Sequence, residues 1–181
     1  MWLWRKLYSV TQNYFELFAL EAKFNIELQT LETNFRKIQA EVHPDRFVTA
    51  PAPEKIKFMH LATLANEAYQ TLKHPATRAK YLLELQGISA ISETNTAMPT
   101  DFLMQQMEWR EVLENGIAEK EVDTLENLIQ EIKVEVKSLQ LQLIDLFDVK
   151  KDFTSATDVT RKLIFMDKVS EDIKHAIERL D

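Results

Sequence analysis

The stretch VHPDRF, residues 42–47, separates two runs of helix-patterned sequence. From Glu27 to Val42 the apolar residues Leu28, Leu31, Phe35, Ile38 and Val42 recur in steps of three and four, which puts them on one helical face that must be buried. Pro44 ends this helix, because a proline restricts the residue before it and carries no amide donor. Beyond a loop through Pro51 and Pro53, a second helix is expected from Glu54 to Lys73, with Met59, Ala62, Ala65, Ala68 or Tyr69, and Leu72 on its inner side. The alanines permit close approach, and two such helices joined by a short loop form an antiparallel hairpin. His43, Pro44 and Asp45 fall at its tip.

Around the hairpin the pattern stays helical. YFELFAL (14–20) predicts one brief helix, and another runs from about Ala76, after Pro75, to Leu85 near Gly87. GISAISETNTAMPT (87–100) then changes character to small and hydroxyl residues without a period, which marks a boundary. Three further helices follow. The first covers Asp101–Glu114. The middle one carries Val122, Leu125, Ile129, Ile132, Val136, Leu139, Leu143 and Leu146 in coiled-coil-like alternation. A run of roughly 30 residues would be about 45 Å long. The last carries Val159, Leu163, Met166, Ile173, Ile177 and Leu180. The expected architecture is all-α, a helical hairpin with flanking short helices over 13–87 and a three-helix bundle over 100–181, with a linker at 88–99 and an extension at 1–12.

Composition agrees with that reading and narrows function. The chain has 181 residues with only two glycines and five prolines, too few for the tight turns of a β-rich fold. No cysteine is present, which removes disulfides, thiol nucleophiles, thiolate zinc sites and cysteine-held clusters. A net charge of −7 disfavours binding to nucleic acid or anionic lipid. No apolar run approaches the roughly 20 residues that span a bilayer, and the opening MWLWRKLYSVTQN lacks a secretory core.

Catalytic chemistry finds little support. His43 and Asp45 form a conceivable acid–base pair, and a hydrolase using them is one reading, but no nucleophile with an orienting base and oxyanion site accompanies them. His43, His60, His74 and His175 show no metal spacing, and no phosphate loop occurs. No catalytic residue, metal or cofactor is expected. As a recognition element the tip is better equipped: His43 and Asp45 bracket a rigid proline, so a ring donor–acceptor and a carboxylate stand at nearly fixed separation, suited to a partner's backbone or arginine. The plainer alternative is that Asp45 caps a turn and His43 is incidental.

On the helix Asp101–Glu114, Phe102, Trp109 and Leu113 lie on one side. Leu103, Met104 and Met107 fall on an adjacent side beside Glu108, Arg110 and Glu111, and Phe165 stands one step off the Leu163–Met166 seam. A helix wedged between two others buries a broad face, yet methionines flanked by charges also suit a reversible contact surface.

YFELF, Arg36 and Lys37 on the first stripe, HPD at 43–45 and ANEAYQTLKHP (65–75) together resemble a J-domain, over about Asn13 to Gly87. That module stimulates ATP hydrolysis by seventy-kilodalton heat-shock chaperones. The resemblance implies that His43, Pro44 and Asp45 are the trigger, assisted by Arg36 and Lys37. J-domains usually carry more basic residues just before HPD, where this chain has Ala40, Glu41 and Val42. The departure weakens attraction to a generalist chaperone and points to a dedicated partner or to contacts elsewhere.

The second half narrows the resemblance. PATRAKYLLELQG (75–87), DFLMQQMEWREVLE (101–114) and RKLIFMDKV (161–169) are similar to the HscB family of J-type co-chaperones in iron–sulfur cluster assembly. The resemblance implies a protein that brings an IscU-type scaffold to an HscA-type chaperone. It further implies that Leu103, Met104, Met107, Glu108, Arg110, Glu111 and Phe165 grip the scaffold. Animal members add an amino-terminal cysteine motif that binds metal, which a chain without cysteine lacks. A monomer in the bacterial cytoplasm is expected. The competing readings are a partner of a generalist chaperone and a coiled-coil assembly protein whose middle helix dimerises.

Overall fold

The computed structural model describes residues 13–47, 51–91 and 98–180; the expected extension at 1–12 lies outside them. The described elements are helical. The chain divides into two compact units between Leu82 and Leu83.

In the first unit, α1 (Tyr14–Leu17) begins where the Asn13 side chain accepts the Glu16 amide at 3.0 Å, the usual way to satisfy a helix's first donors. α2 (Leu28–Glu41) and α3 (Ala52–Lys73) form the hairpin. The Phe35 ring stacks on Tyr69 at 4.1 Å, and Gln39 Nε2 donates to Asn66 Oδ1 at 3.3 Å. Positions that rise along α2 therefore meet positions that fall along α3, so the pair is antiparallel. The Tyr14 ring stacks on Tyr81 of α4 (Pro75–Glu84) at 4.4 Å, while its hydroxyl donates to Glu67 Oε1 on α3. Buried Arg78 closes the α3–α4 corner by donating to the Leu72 carbonyl at 2.6 Å.

Two inner-face assignments need correction. α3 buries Phe58, Leu61, Ala65, Ala68 and Leu72, steps of three and four, whereas Met59 is exposed. Met59 stands six residues before Ala65, about 120° away around the helix, and successive steps of three had drifted off the buried stripe. On α2, Leu31, Ile38 and Val42 are buried but Leu28, in the first turn, is half exposed.

In the second unit, α5 (Thr100–Glu119), α6 (Val122–Ile144) and α7 (Phe153–Leu180) make the bundle, with α6 packed along both others. α6 buries Leu125, Leu128, Ile129, Ile132, Leu139 and Leu143; Leu128 widens the expected stripe, and Val122, Val136 and Leu146 are only partly covered. The expected coiled-coil stripe is thus largely buried within the chain. α5 reaches five residues beyond Glu114 because the close approach comes at Gly116, where an added Cβ would lie 2.7 Å from Leu125 Cδ2. The helix then stops at Lys120, whose φ of 57° is left-handed, a conformation that reverses the chain at a helix end.

The middle helix does not continue as a regular α-helix to its end. Residues Asp145–Lys150 widen into a π-helical turn that closes at Lys151 and buries Phe147 beside Phe153. Asp152 then starts α7, accepting the Ser155 amide at 3.1 Å and the Ser155 hydroxyl at 2.6 Å. Those bonds hold its carboxyl below the usual carboxylate range.

Candidate functional sites

The first site is the hairpin tip. α2 closes on Val42, whose amide donates to the Ile38 carbonyl at 3.0 Å and whose side chain is buried. The next residues turn as a 3-10 helix, Pro44–Phe47. Arg46 pins this turn twice: its amide donates to the His43 carbonyl at 3.0 Å and its Nη1 to the Ala40 carbonyl at 3.1 Å. The last turn of α2 carries no basic residue of its own, so the Arg46 guanidinium supplies the positive charge that its exposed carbonyls favour.

On this turn the His43 and Asp45 side chains are 60% and 87% exposed. His43 Nδ1 accepts the Asp45 amide at 3.4 Å and stands 3.5 Å from the Asp45 carboxylate. The first contact needs a bare Nδ1 and so puts the ring proton on Nε2; the second needs a protonated ring. In either state the tip offers a ring N–H and a carboxylate side by side in water. Beside it lies a shallow concavity of about 440 Å³ lined by Arg36, Gln39, Ala40, Val42, His43, Ala62 and Asn66. Arg36 pairs with Glu32 at 2.5 Å and Lys37 donates to Asn34 at 3.4 Å, both exposed pairs within one helix. Such pairs are worth only a fraction of a kcal/mol, so a partner's carboxylates can displace them. The tip thus brings His43 and Arg36 to one concavity with Asp45 beside His43, while neither Asp45 nor Lys37 lines it. Gln39 and Asn66 were not singled out from sequence, since their pairing joins positions 27 apart with no local signature; Ala62 stands there only as an inner-face residue.

The second site is the outer face of α5. Leu103, Met107 and Arg110 form one row along the helix, and Met104, Glu108 and Glu111 the next, at steps of three and four. Leu103 is 43% exposed, Met104 60% and Met107 72%, and the three charged residues are exposed. On the opposite side Phe102 and Trp109 are buried, with Trp109 Nε1 donating to Glu131 on α6 at 3.1 Å. α5 therefore has apolar surface beyond what the bundle covers. Phe165 on α7 is half buried, its ring edge against Phe102 at 5.8 Å. A groove of about 420 Å³ takes Met104 and Glu108 together with Asp101, Phe102, Gln105, Glu135 and Lys162, but not the Leu103 row. Lys162 Nζ sits over the Phe102 ring at 5.1 Å. It lies three residues before Phe165, so the helical neighbours of Phe165 were the available signal for it.

Among the described residues, no three His, Asp or Glu side chains stand together as a metal site, and no helix is long and apolar enough to cross a membrane. An antiparallel hairpin that displays His-Pro-Asp at its turn, with a short helix packed across it and a three-helix bundle following, defines a J-domain co-chaperone. Residues 98–174 match the family described as the HSCB C-terminal oligomerisation domain. The chain is 42% identical to a co-chaperone protein HscB homolog of Azoarcus sp. (strain BH72), over 96% of its own length and 98% of that protein's. Over the same shares it is 44% identical to the homolog from Burkholderia thailandensis. Chaperone HscB from Vibrio cholerae superposes with a TM-score of 0.82 at 34% identity, covering 94% of this chain and all of that one. The human co-chaperone protein HscB superposes at 0.85 with 30% identity, covering 92% and 83%. The chain belongs to the HscB co-chaperone family.

Proposed function

We propose that this protein stimulates ATP hydrolysis by an HscA-type chaperone and delivers an IscU-type scaffold to it during iron–sulfur cluster assembly. In this reading residues 13–87 are the J-domain and 100–181 the scaffold-binding bundle. His43, Pro44 and Asp45 are the trigger, with Arg36 and Lys37 steering the approach. Leu103, Met104, Met107, Glu108, Arg110, Glu111 and Phe165 hold the scaffold. The protein needs no cofactor, works as a monomer and acts in the cytoplasm.

The observation that carries the reading is that one chain leaves two unlike surfaces open, a polar turn fixed by Arg46 and a methionine–leucine face that the bundle does not cover. Burial of four large apolar side chains would return roughly 6–12 kcal/mol, against an association cost of about 4–15 kcal/mol. Gain and cost are of similar size, so the grip is weak and transient, as release of a cargo demands. A dedicated chaperone is favoured over a generalist because Ala40 and Glu41 leave the end of α2 short of positive charge.

The test is the chaperone's ATPase rate with scaffold present. His43→Gln should keep the helical spectrum of the parent and lose the stimulation. A variant that folds normally and stimulates as well as the parent would refute the trigger assignment.

A further inference from the structure

Arg161 takes part in neither candidate site, yet it is a cation with only 7% of its surface exposed. Its Nε donates to the Ala90 carbonyl at 2.7 Å, 71 positions earlier in the chain. Its Nη1 donates to Asp158 Oδ1, one turn back on α7, at 3.0 Å. Burying a guanidinium is costly unless its donors are matched, and a leucine or methionine would fill a helical seam without that cost. What the arginine adds is a directed donor for backbone that belongs to no helix.

That backbone is ordered on the way in. α4 ends with the Ile88 amide donating to the Leu83 carbonyl at 3.0 Å and the Gly87 amide to the Glu84 carbonyl at 2.9 Å. Gly87 supplies the left-handed φ of 73° that this reversal needs. Ser89 Oγ then donates to the Ile91 carbonyl at 2.7 Å, folding the chain around Ala90, which is fully buried. Ala90, inside the expected linker at 88–99, is therefore held on the bundle where Arg161 takes hold, while Ser89 and Ile91 stay exposed.

We infer that Arg161 is a positioning residue whose buried guanidinium clasps the connector at Ala90 onto α7, and that its charge serves the connector rather than the bundle core. This role rests on the delivery reading for its functional consequence. The advantage of joining two binding events in one chain depends on the length and stiffness of what joins them. With the clasp closed, the connector is anchored to α7 at Ala90; with it open, that anchor is lost and 88–91 is released from the bundle.

Two variants separate the clasp from a simple core role: Arg161→Met keeps the apolar stem without donors, and Arg161→Lys returns one donor nitrogen in place of the guanidinium fork. In hydrogen–deuterium exchange of the full-length protein, Arg161→Met should speed exchange across 88–91 on the order of tenfold or more. Peptides of α5 and α6 should stay unchanged, and Arg161→Lys should restore part of the protection. Unchanged exchange at 88–91, or equal acceleration throughout the bundle, would overturn the clasp. In the ATPase assay, Arg161→Met should keep scaffold affinity and scaffold-free stimulation but lose several-fold of the extra stimulation that scaffold brings. If the parent shows no scaffold-dependent gain, the delivery reading fails while the exchange result still decides the clasp. If the parent shows the gain and Arg161→Met, with 88–91 loosened, matches it, the clasp has no part in coupling.

Discussion

The hairpin tip and the bundle's outer face relate to the fold in opposite ways. At the tip, His43 and Asp45 are exposed and, among the described residues, bond within their own turn. Their removal takes nothing from the hydrophobic core. On the bundle, Phe165 is half buried and leans on Phe102, which in turn meets Trp109 edge-on at 6.4 Å. A residue proposed to grip a partner is there also a wall of the core. A polar trigger can be separated from stability; an apolar grip is separable only in part, because surface enough to bind is surface continuous with what holds the bundle.

The largest effect expected from this contrast is at the tip. Asp45→Ala should lower chaperone stimulation by more than tenfold while shifting stability by no more than about 0.5 kcal/mol, the usual range for exposed positions. Stimulation assays paired with urea melts check it. A loss of several kcal/mol would mean that the Asp45 carboxylate supports the turn, and the contrast would collapse.

The two ends of the apolar grip should differ next. Phe165→Ala should cost about 2–3 kcal/mol of bundle stability, less than the about 3–5 kcal/mol of a fully buried phenylalanine because part of the side chain is already exposed, and should weaken scaffold binding as well. Met107→Ala should weaken scaffold binding by roughly tenfold, about 1.4 kcal/mol, and leave the melt where it was. Calorimetric titration with scaffold and thermal melts of both variants decide the matter. Equal stability losses would place Met107 in the core and remove the distinction inside the patch.

A fourth variant isolates the bundle from the tip. At Gly116 the intruding Cβ of an alanine would press on the buried Leu125 side chain. Overpacking costs about 1–3 kcal/mol, and the better helix propensity of alanine returns up to about 1 kcal/mol. Gly116→Ala should therefore lower bundle stability by about 1–2 kcal/mol. Scaffold-free stimulation through His43 and Asp45 should be untouched at temperatures where the bundle remains folded.

How far these features could be read from sequence follows from which forces are local. The hairpin was legible because Pro44 breaks a helix wherever it stands and because Leu31, Ile38 and Val42 keep a strict helical step. The drift from Phe58 to Met59 arose where several small residues blur the period: alanines at 62, 65 and 68 fit more than one stripe, and only packing chooses among them. Leu103, Met104 and Met107 were legible as surplus apolar residues, since Phe102 and Trp109 already satisfy the inner face. The groove residues Glu135 and Lys162 come from two further helices, and their meeting beneath Met104 is a product of bundle packing that no single helix encodes. The same holds for Arg161 and Ala90: a charged residue on an amphipathic helix reads as solvated, and nothing near position 90 announces that its carbonyl needs a donor.

The smallest expected effect lies one residue from that clasp. Thr160 is fully buried, and its hydroxyl has no hydrogen-bond partner among the described residues. Its neighbour Arg161 shows what the bundle does with a buried polar group that it uses; Thr160 is one that it merely tolerates. A buried hydroxyl without a partner costs about 1–3 kcal/mol, and valine has nearly the same shape. Thr160→Val should therefore stabilise the bundle by about 1 kcal/mol and raise its melting temperature by about 2–4 °C, the shift usual for chains of this size. Arg161→Met, one position on, exchanges a matched polar group for an apolar one and should loosen the connector at 88–91. If Thr160→Val were destabilising instead, the hydroxyl would have to be held by a buried water, and the two adjacent positions would no longer differ in kind.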